Sequence, residues 1–230
     1  MRIEIWSDVV CPWCYIGKRR LETALERFPH RDQVEVIWRS FQLDPTIPEG
    51  ETHPTLPALA AKYGRSIDEM RAMQGQVEQV AAGEGLDYHL ADGVSGNTTL
   101  AHELLHLAAE HDLQGAMKER LLHAHFEEAR SVFDVDALVA LGVEVGLDEA
   151  EIRAALTDRR YRAAVAQDAA TAQALGANGV PFFVVDRKYG AAGAQPAELL
   201  LQVLERAWAD EHPLITVPAA DGCEGDNCAV

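Results

Sequence analysis

Residues 2–28 read RIEIWSDVVCPWCYIGKRRLETALERF, and two structural patterns follow one another within them. Residues 2–7 alternate between polar and apolar side chains, which is typical of a β-strand. Residues 13–28 repeat apolar side chains at helical spacing until Pro29 ends the pattern. Residues 34–40 (VEVIWRS) are again rich in β-formers, so this part of the chain predicts a βαβ unit with two parallel strands.

Two cysteines stand between the predicted strand and the predicted helix, in the motif Cys11-Pro12-Trp13-Cys14. Unpaired amide N–H groups and the positive end of the helix dipole stabilise a thiolate at the first position. The thiolate is the form that attacks disulfides, so we expect Cys11 to have a pKa well below the free-thiol value of about 8.5. Cys14, about one helical turn further on, is close enough to resolve the mixed disulfide. The alternatives are half of a zinc site, which needs a second close cysteine pair, or two incidental buried thiols.

The composition is that of a globular protein, with 48% hydrophobic and 25% charged residues among 230. The net charge is −17, and the whole acidic excess lies beyond residue 44, because residues 1–44 hold seven basic and seven acidic side chains. An acidic body repels phosphate backbones and anionic lipids, so neither nucleic acid nor a membrane is expected as a partner. The sequence has no apolar run of membrane-helix length and no secretory signal pattern at its start, which predicts a cytoplasmic protein.

The segment of residues 45–177 begins with a proline-rich loop and predicts helices from residue 58 onward. Apolar side chains repeat there at helical spacing, and proline is absent from residue 58 to residue 180. Asp148 precedes Glu151 at the spacing of a helix cap. The predicted helices span residues 58–63, 67–82, 98–112, 115–129, 135–145 and 149–176, the last with a break near residue 158.

Strand character returns after this segment, at residues 181–186 and more weakly at residues 189–192. Pro196 stands at a favourable first helical position and opens a helix that ends near residue 210. The order along the chain is therefore βαβ, a long helical insertion, and ββα. The predicted division has four parts, namely residues 1–44, 45–177, 178–212 and an acidic tail, 213–230.

The segment Ser7–Arg19 resembles the N-terminal motif of the DsbA-like thiol–disulfide oxidoreductases, specifically of the FrnE-like subgroup. The resemblance spans most of the chain and continues at Asn97-Thr98 with Ala101-His102, at Gly179–Val184 and at Gly193–Pro196. It implies an α/β protein with a thioredoxin-like fold (βαβ…ββα) that a large all-helical insertion interrupts. It also implies a cytoplasmic protein dithiol–disulfide oxidoreductase or isomerase that needs no cofactor.

The pair Val180-Pro181 gains a role from this resemblance. A proline before a strand is unremarkable by itself, since its missing N–H suits that position. The resemblance implies a cis bond opposite the cysteines, where the Val180 backbone pairs with an extended substrate peptide. Trp13 and Pro12 are expected to shape the rim of the same site. The implied substrates are protein or small-molecule disulfides and dithiols, with glutathione or thioredoxin as the candidate redox partner.

Residues 102–106 read HELLH, which matches the zinc-peptidase signature H-E-x-x-H on a predicted helix. His102 and His106 would bind the metal, with Glu103 as the general base. The extended signature places its third ligand at Asp112, but Ala109 replaces the glycine that lets the chain leave the helix. On a continuous helix Asp112 points away from the two histidines, so we expect no metal at this motif.

A second cysteine pair, Cys223 and Cys228, lies in the acidic tail with four residues between its members. Gly225 and Asn227 favour a turn that would allow a small-ring disulfide. The neighbouring acids should raise the pKa of both thiols and make them slower nucleophiles than Cys11. The pair is either an auxiliary redox couple, as some FrnE-like proteins carry, or two ordinary thiols.

Two other functions are compatible with the same fold. Glutathione-dependent isomerases resembling the 2-hydroxychromene-2-carboxylate isomerases are similar in fold but carry serine at the catalytic position, so the pair Cys11 and Cys14 argues against them. A non-catalytic peptide-binding chaperone would use the same groove without needing thiols. Among the oxidoreductases themselves, oxidase, reductase and isomerase differ in redox potential and partners.

Overall fold

The computed structural model describes residues 1–213, which form a mixed α/β structure. The strands in this part of the chain are β1 (Arg2–Ser7), β2 (Glu35–Ser40), β3 (Thr52–Pro54), β4 (Val94–Gly96), β5 (Phe182–Val185) and β6 (Tyr189–Ala192). The helices are α1 (Pro12–Arg27), α2 (Thr55–Tyr63), α3 (Ile67–Gly83), α4 (Thr99–Glu110), α5 (Gln114–Phe126), α6 (Val135–Val145), α7 (Glu149–Thr157), α8 (Arg162–Ala174) and α9 (Ala197–Glu211).

Four of the strands form one sheet in the order β2-β1-β5-β6. β1 pairs in parallel with β2, from Arg2 opposite Glu35 to Ser7 opposite Ser40. β5 is antiparallel to β1, and β6 is antiparallel to β5. Because β5 is antiparallel to β1 and hence to β2, the chain leaves β2 and enters β5 at the same end of the sheet. The predicted βαβ and ββα units are confirmed, and they share this sheet.

The sheet is covered on both faces. Ile3 and Ile5 of β1 pack with apolar side chains of α1 and α9 in one hydrophobic cluster. On the other face, Trp6 packs with Ala172 of α8. The indole N–H of Trp6 donates a hydrogen bond to the carbonyl oxygen of Asp168, 2.8 Å away, which satisfies its one buried polar group. Helix α8 therefore fixes the helical segment against the strand that leads into the cysteine motif.

The helical segment has its own hydrophobic core, to which α4, α5, α6 and α7 contribute. Val9, in the turn between β1 and α1, is fully buried in the same core. The break predicted near residue 158 is confirmed, since α7 ends at Thr157 and α8 begins at Arg162. Asp148 caps α7 by accepting a hydrogen bond from the backbone N–H of Glu151 at 2.9 Å. Central members of the core are Leu104, Leu107, Met117, Leu121, Leu138, Leu141 and Ile152.

One short element of this segment differs from the sequence prediction. β3 and β4 pair antiparallel, with Thr52 opposite Gly96 and Pro54 opposite Val94. Each strand has only three residues, which is too short for an alternating pattern to be recognised in the sequence. The insertion is therefore helical except for this pair.

Two sequence predictions concern the domain boundaries and the cysteine pair of the tail. The domain boundaries after residues 44, 177 and 212 stay predictions. The proposed auxiliary pair, Cys223 and Cys228, lies outside the described residues. Within residues 1–213, no helix combines the length and the apolar character that crossing a membrane requires.

Candidate active site

The two cysteines of the motif lie at the amino end of α1. Cys11 is the residue that precedes the helix, with extended dihedral angles of −92° and 112°. The backbone N–H of Cys14 donates to the carbonyl oxygen of Cys11 at 3.0 Å and closes the first turn. Cys11 is 3% exposed and Cys14 is 0% exposed, and both are free thiols. Cys11 is thus the slightly more exposed residue of the two.

The loop before β5 faces the outer cysteine. The Cys11 thiol donates a hydrogen bond to the carbonyl oxygen of Val180 at 3.5 Å. The bond between Val180 and Pro181 is cis, as the resemblance implied. The loop is held in turn by β6, because the backbone N–H of Gly193 donates to the Pro181 carbonyl oxygen at 2.8 Å. The structure therefore brings the two predicted parts of the site together across 169 residues of sequence.

The residues between the cysteines form the outer edge of the site. Trp13 is 40% exposed, which is unusual for a side chain of its size. The carbonyl oxygen of Pro12 accepts a hydrogen bond from the hydroxyl of Tyr88 at 2.7 Å. Tyr88 is buried and stacks on Tyr15 of α1, with 6.1 Å between ring centroids. The helical segment thus supports the cysteine turn from the side, while Trp13 remains available for contact.

Several groups act on the pKa of the inner cysteine. The pKa of Cys14 is lowered by the neighbouring Cys11 thiol, the charge of Lys118, the Ser7 side chain and the Asp8 backbone, although its burial acts in the opposite direction. Lys118 belongs to α5 and is fully buried. Its ammonium group donates to the carbonyl oxygen of Ser7 at 3.5 Å. The surroundings of Cys14 therefore favour a thiolate at this position.

The order of the two thiol pKa values is the reverse of the sequence prediction. The neighbouring Cys14 sulfur, together with burial, raises the pKa of Cys11. Burial alone would raise the pKa of Cys14 as well, but the neighbouring Cys11 thiol and the charge of Lys118 outweigh it and lower that pKa. In the described part of the chain, the Cys11 side chain makes no capping hydrogen bond to the first turn, and it faces the Val180 carbonyl instead. The pair therefore loses its first proton easily and its second with difficulty, as coupled groups do.

Asp8 is a fixed negative charge beneath the motif. One carboxylate oxygen accepts from the Val9 backbone N–H at 2.8 Å and contacts Nε2 of His102 at 3.2 Å. The other oxygen accepts from the Leu43 backbone N–H at 2.8 Å. Burial would raise the pKa of Asp8, but these hydrogen bonds and the charge of His102 lower it overall. Asp8 is therefore ionised, and it connects the cysteine turn to the helical segment.

The HELLH motif does not gather its side chains into one site. His102 contacts Asp8, whereas Nε2 of His106 lies 3.2 Å from Asp168. Glu103 is fully buried and accepts a hydrogen bond from Arg159 at 2.7 Å. Within residues 1–213, no group of three or more potential metal ligands is close enough to hold an ion. The motif thus links α4 to three different parts of the protein.

Two residues of this site have no role in the sequence analysis. Tyr88 precedes β4 in a stretch without a periodic pattern, so nothing in its surroundings indicated a contact with the cysteine turn. Lys118 carried one usable signal. It stands three and four residues before the buried Leu121 and Leu122, on the apolar side of its helix, where a lysine is rarely placed without a partner.

A dithiol at a helix terminus, facing the loop that enters an antiparallel strand, is the arrangement of thioredoxin-fold oxidoreductases. Comparison with known protein families identifies the family within this class. The family model of the DSBA-like thioredoxin domain matches residues 2–205, so this chain belongs to the DsbA-like thiol–disulfide oxidoreductase family. The FrnE-like subgroup stays a prediction.

Three known proteins are similar to this chain. A probable DsbA oxidoreductase from Streptomyces coelicolor is 48% identical, with a TM-score of 0.89, and the match covers 100% of this chain and 99% of that one. An uncharacterized Bacillus subtilis (strain 168) protein, YwbO, is 30% identical over 92% of this chain and 98% of its own length. The cytosolic disulfide reductase DsbM from Pseudomonas aeruginosa, solved with GSH, shares the fold at 21% identity and a TM-score of 0.60, over 92% of this chain and 98% of that one.

Proposed function

We propose that this protein exchanges disulfides through the pair Cys11 and Cys14, with Cys11 as the attacking thiol. The observation that carries the proposal is the position of the Cys11 sulfur, 3.5 Å from the carbonyl oxygen of Val180. A substrate chain that pairs with the backbone of this loop brings its own disulfide next to that sulfur. Cys14 is fully buried and is therefore better suited to resolve the mixed disulfide than to attack the substrate.

The reaction then has two exchange steps. The Cys11 sulfur attacks one sulfur of the substrate disulfide, a mixed disulfide forms, and the other substrate sulfur leaves as a thiolate. Before the attack, the Cys11 thiol gives its proton to the Cys14 thiolate, so that Cys14 becomes a thiol. In the second step Cys14 attacks the Cys11 sulfur and the bond between Cys11 and the substrate breaks. The Cys14 proton leaves with the second substrate sulfur as a thiol, and the Cys11–Cys14 disulfide closes. The same steps in reverse oxidise a substrate dithiol.

The surroundings of the site support an extended peptide or a small disulfide as substrate. Val180 supplies a backbone carbonyl, and Pro181 supplies an adjacent surface without a competing N–H. The exposed indole of Trp13 offers apolar contact at the rim. We propose protein disulfides and glutathione-like disulfides as the substrate class, with glutathione or thioredoxin as redox partner. The fold shared with a cytosolic reductase supports a cytoplasmic setting.

Insulin reduction by dithiothreitol and refolding of a reduced test protein measure the proposed activity. We expect the Cys11→Ser variant to lose both activities, because no other thiol faces the Val180 loop in the described residues. The Cys14→Ser variant should attack once and then remain as a mixed disulfide, which mass spectrometry detects as the protein plus one substrate chain.

The outcome of the same assays separates the competing functions. A peptide-binding chaperone would keep its refolding activity in the Cys11→Ser variant, and that result would overturn the proposal. An isomerase of the 2-hydroxychromene-2-carboxylate type would show no insulin reduction even with both cysteines present. The far-ultraviolet circular dichroism of each variant serves as the control for folding.

A further inference from the structure

A cleft lies between the carboxyl end of β2 and the helical segment. Its lining comes from residues 40–42 at the end of β2, from the start of α4 and from α8. The cleft encloses about 200 Å³. Pockets that take a whole small molecule have about 300–1,000 Å³, so this cleft has the size for one large side chain.

The cleft lies at the same edge of the sheet as the two cysteines. β1 and β2 are parallel and Ser7 lies opposite Ser40, so the chain leaves both strands at one edge. β5 enters the sheet at that edge, since Phe182 lies opposite Trp6. Neighbouring strands are about 4.8 Å apart, so in the order β2-β1-β5 the end of β2 lies about 10 Å from the loop before β5. An extended chain covers this distance in about three residues.

Phe41 connects the cleft to the loop that faces Cys11. Its side chain lines the cleft and also packs against the hydrophobic cluster around Trp6. Val180 packs against the same cluster. A substrate chain that pairs with the Val180 backbone can therefore continue over apolar surface into the cleft.

The cleft combines apolar walls with neutral hydrogen-bonding groups. Phe41, Val165 and Ala166 contribute apolar surface. Nε2 of Gln42 donates a hydrogen bond to Oγ1 of Thr99 at 3.0 Å. In the described part of the chain, this bond leaves the Gln42 carbonyl oxygen free to accept and the Thr99 hydroxyl free to donate. A hydroxyl group on a ligand can use both at once.

The charged residues of the cleft are already paired. Nη2 of Arg162 lies 3.5 Å from Oε1 of Glu49, and Glu49 also pairs with Arg159. Arg159 in turn pairs with the buried Glu103. Two carboxylates and two guanidinium groups therefore balance one another, and a neutral ligand suits the cleft better than an ion.

We propose that this cleft is a specificity subsite that binds a tyrosine side chain of the substrate, about three residues from the reacting cysteine. The inference rests on the proposed exchange reaction. The ring lies against the apolar walls, while its hydroxyl group donates to Gln42 and accepts from Thr99. The substrate class is therefore a cysteine-containing polypeptide, since glutathione has no aromatic ring to fill the cleft.

Peptides of glycine and serine with one cysteine and one variable residue test this subsite. The cysteine carries 2-nitro-5-thiobenzoate as a mixed disulfide, so that the attack by Cys11 joins the peptide to Cys11 and releases a coloured thiolate. The variable residue is tyrosine, phenylalanine or alanine, placed two to four residues away on either side. At the best position we expect the second-order rate constant for tyrosine to exceed that for alanine by about 5-fold or more, with phenylalanine between them.

Three variants connect this preference to the cleft. Ala166→Leu fills the cleft, and Ala170→Leu is the matched control, because both alanines are exposed on α8 but only Ala166 lines the cleft. Ala166→Leu should bring the tyrosine and alanine peptides within about 2-fold of each other, whereas Ala170→Leu should keep the wild-type preference. Gln42→Met should reduce the difference between tyrosine and phenylalanine and keep that between phenylalanine and alanine.

The inference is overturned if the three kinds of peptide react at the same rate at every position. It is also overturned if Ala166→Leu slows all peptides alike, or slows glutathione that carries the same leaving group, because the cleft would then serve the exchange itself or bind glutathione. Failure of the proposed function looks different, since the coloured thiolate would then appear at the Cys11→Ser rate with every peptide.

Discussion

Gly17 of α1 lies directly against Pro181 of the loop that faces the cysteines. A Cβ atom at position 17 would be 2.9 Å from Cγ of Pro181 and 3.3 Å from the ring of Phe183. Real Cβ atoms are almost never found at the shorter of these distances from another heavy atom. The absence of a side chain at Gly17 therefore sets how closely α1 and the Val180 loop approach each other, and with it the distance between Cys11 and Val180.

Replacing Gly17 with alanine should push this loop away from α1. We expect Gly17→Ala to lower the free energy of unfolding by about 1–3 kcal/mol, as overpacking does, and to reduce the rate of disulfide exchange. Gly75→Ala is the matched control, because that glycine lies within α3 and a Cβ atom added there would have no neighbour within 4 Å. The control should gain about 0.5–1 kcal/mol. If urea denaturation showed the same change in the free energy of unfolding for both variants, the close contact between Gly17 and Pro181 would be contradicted.

The reduced cysteine pair should titrate in two widely separated steps. The first proton leaves below the free-thiol value of about 8.5, because the proximity of the two thiols and the charge of Lys118 stabilise a single thiolate. The second leaves only at strongly alkaline pH. Thiolate absorbance at 240 nm measures both steps, and alkylation followed by peptide mapping assigns the sulfur. Two equal steps near the free-thiol value would show that the thiols are not coupled.

Glu119 should make stability depend on pH in the acidic range. Burial would raise its pKa, but hydrogen bonds from Arg19, Lys18 and Tyr15 lower it to about 2. Since the unfolded value is about 4.3, this stabilisation is complete above that pH and disappears as the pH falls toward 2. Urea denaturation at pH 6 and pH 3 should therefore show a smaller pH-dependent loss in Glu119→Gln than in the wild type. Glu205→Gln, an exposed substitution on α9, should resemble the wild type.

The histidines of the HELLH motif should contribute to stability without binding zinc. His106→Ala removes a contact with the buried Asp168 at 3.2 Å and with the Ser40 hydroxyl at 3.1 Å, so we expect a loss of about 1–3 kcal/mol. Elemental analysis of the purified protein should find no stoichiometric zinc. Tightly bound zinc that a His102→Ala, His106→Ala variant loses, together with peptidase activity, would reinstate the metalloprotease alternative.

The long elements of the fold were predictable because each repeats its pattern several times. The strand of β1 and the helices α3 to α8 extend over enough residues for alternation or helical periodicity to be counted. β3 and β4 were not predictable, since three residues carry no period. The meeting of Cys11 with Val180 was available only through the family resemblance, because local patterns say nothing about pairs so far apart.

The charges of the site could not be predicted from α1 alone. A thiol at a helix terminus suggests an easily ionised Cys11, and this expectation was wrong about which sulfur has the lower pKa. The groups responsible come from elsewhere in the chain. The Val180 carbonyl lies on the outer side of Cys11, and Lys118 reaches Cys14 from α5. Only the tertiary structure places these groups against the motif.

Val9, two residues before Cys11, belongs to the hydrophobic core of the helical segment and not to that of the sheet. Any local opening of that core therefore pulls on the turn that holds the reactive thiol. The environment of Cys11 should therefore respond to changes in the packing of the helical segment. A chain whose insertion has not yet folded would therefore hold its two cysteines without the surroundings that the folded protein gives them.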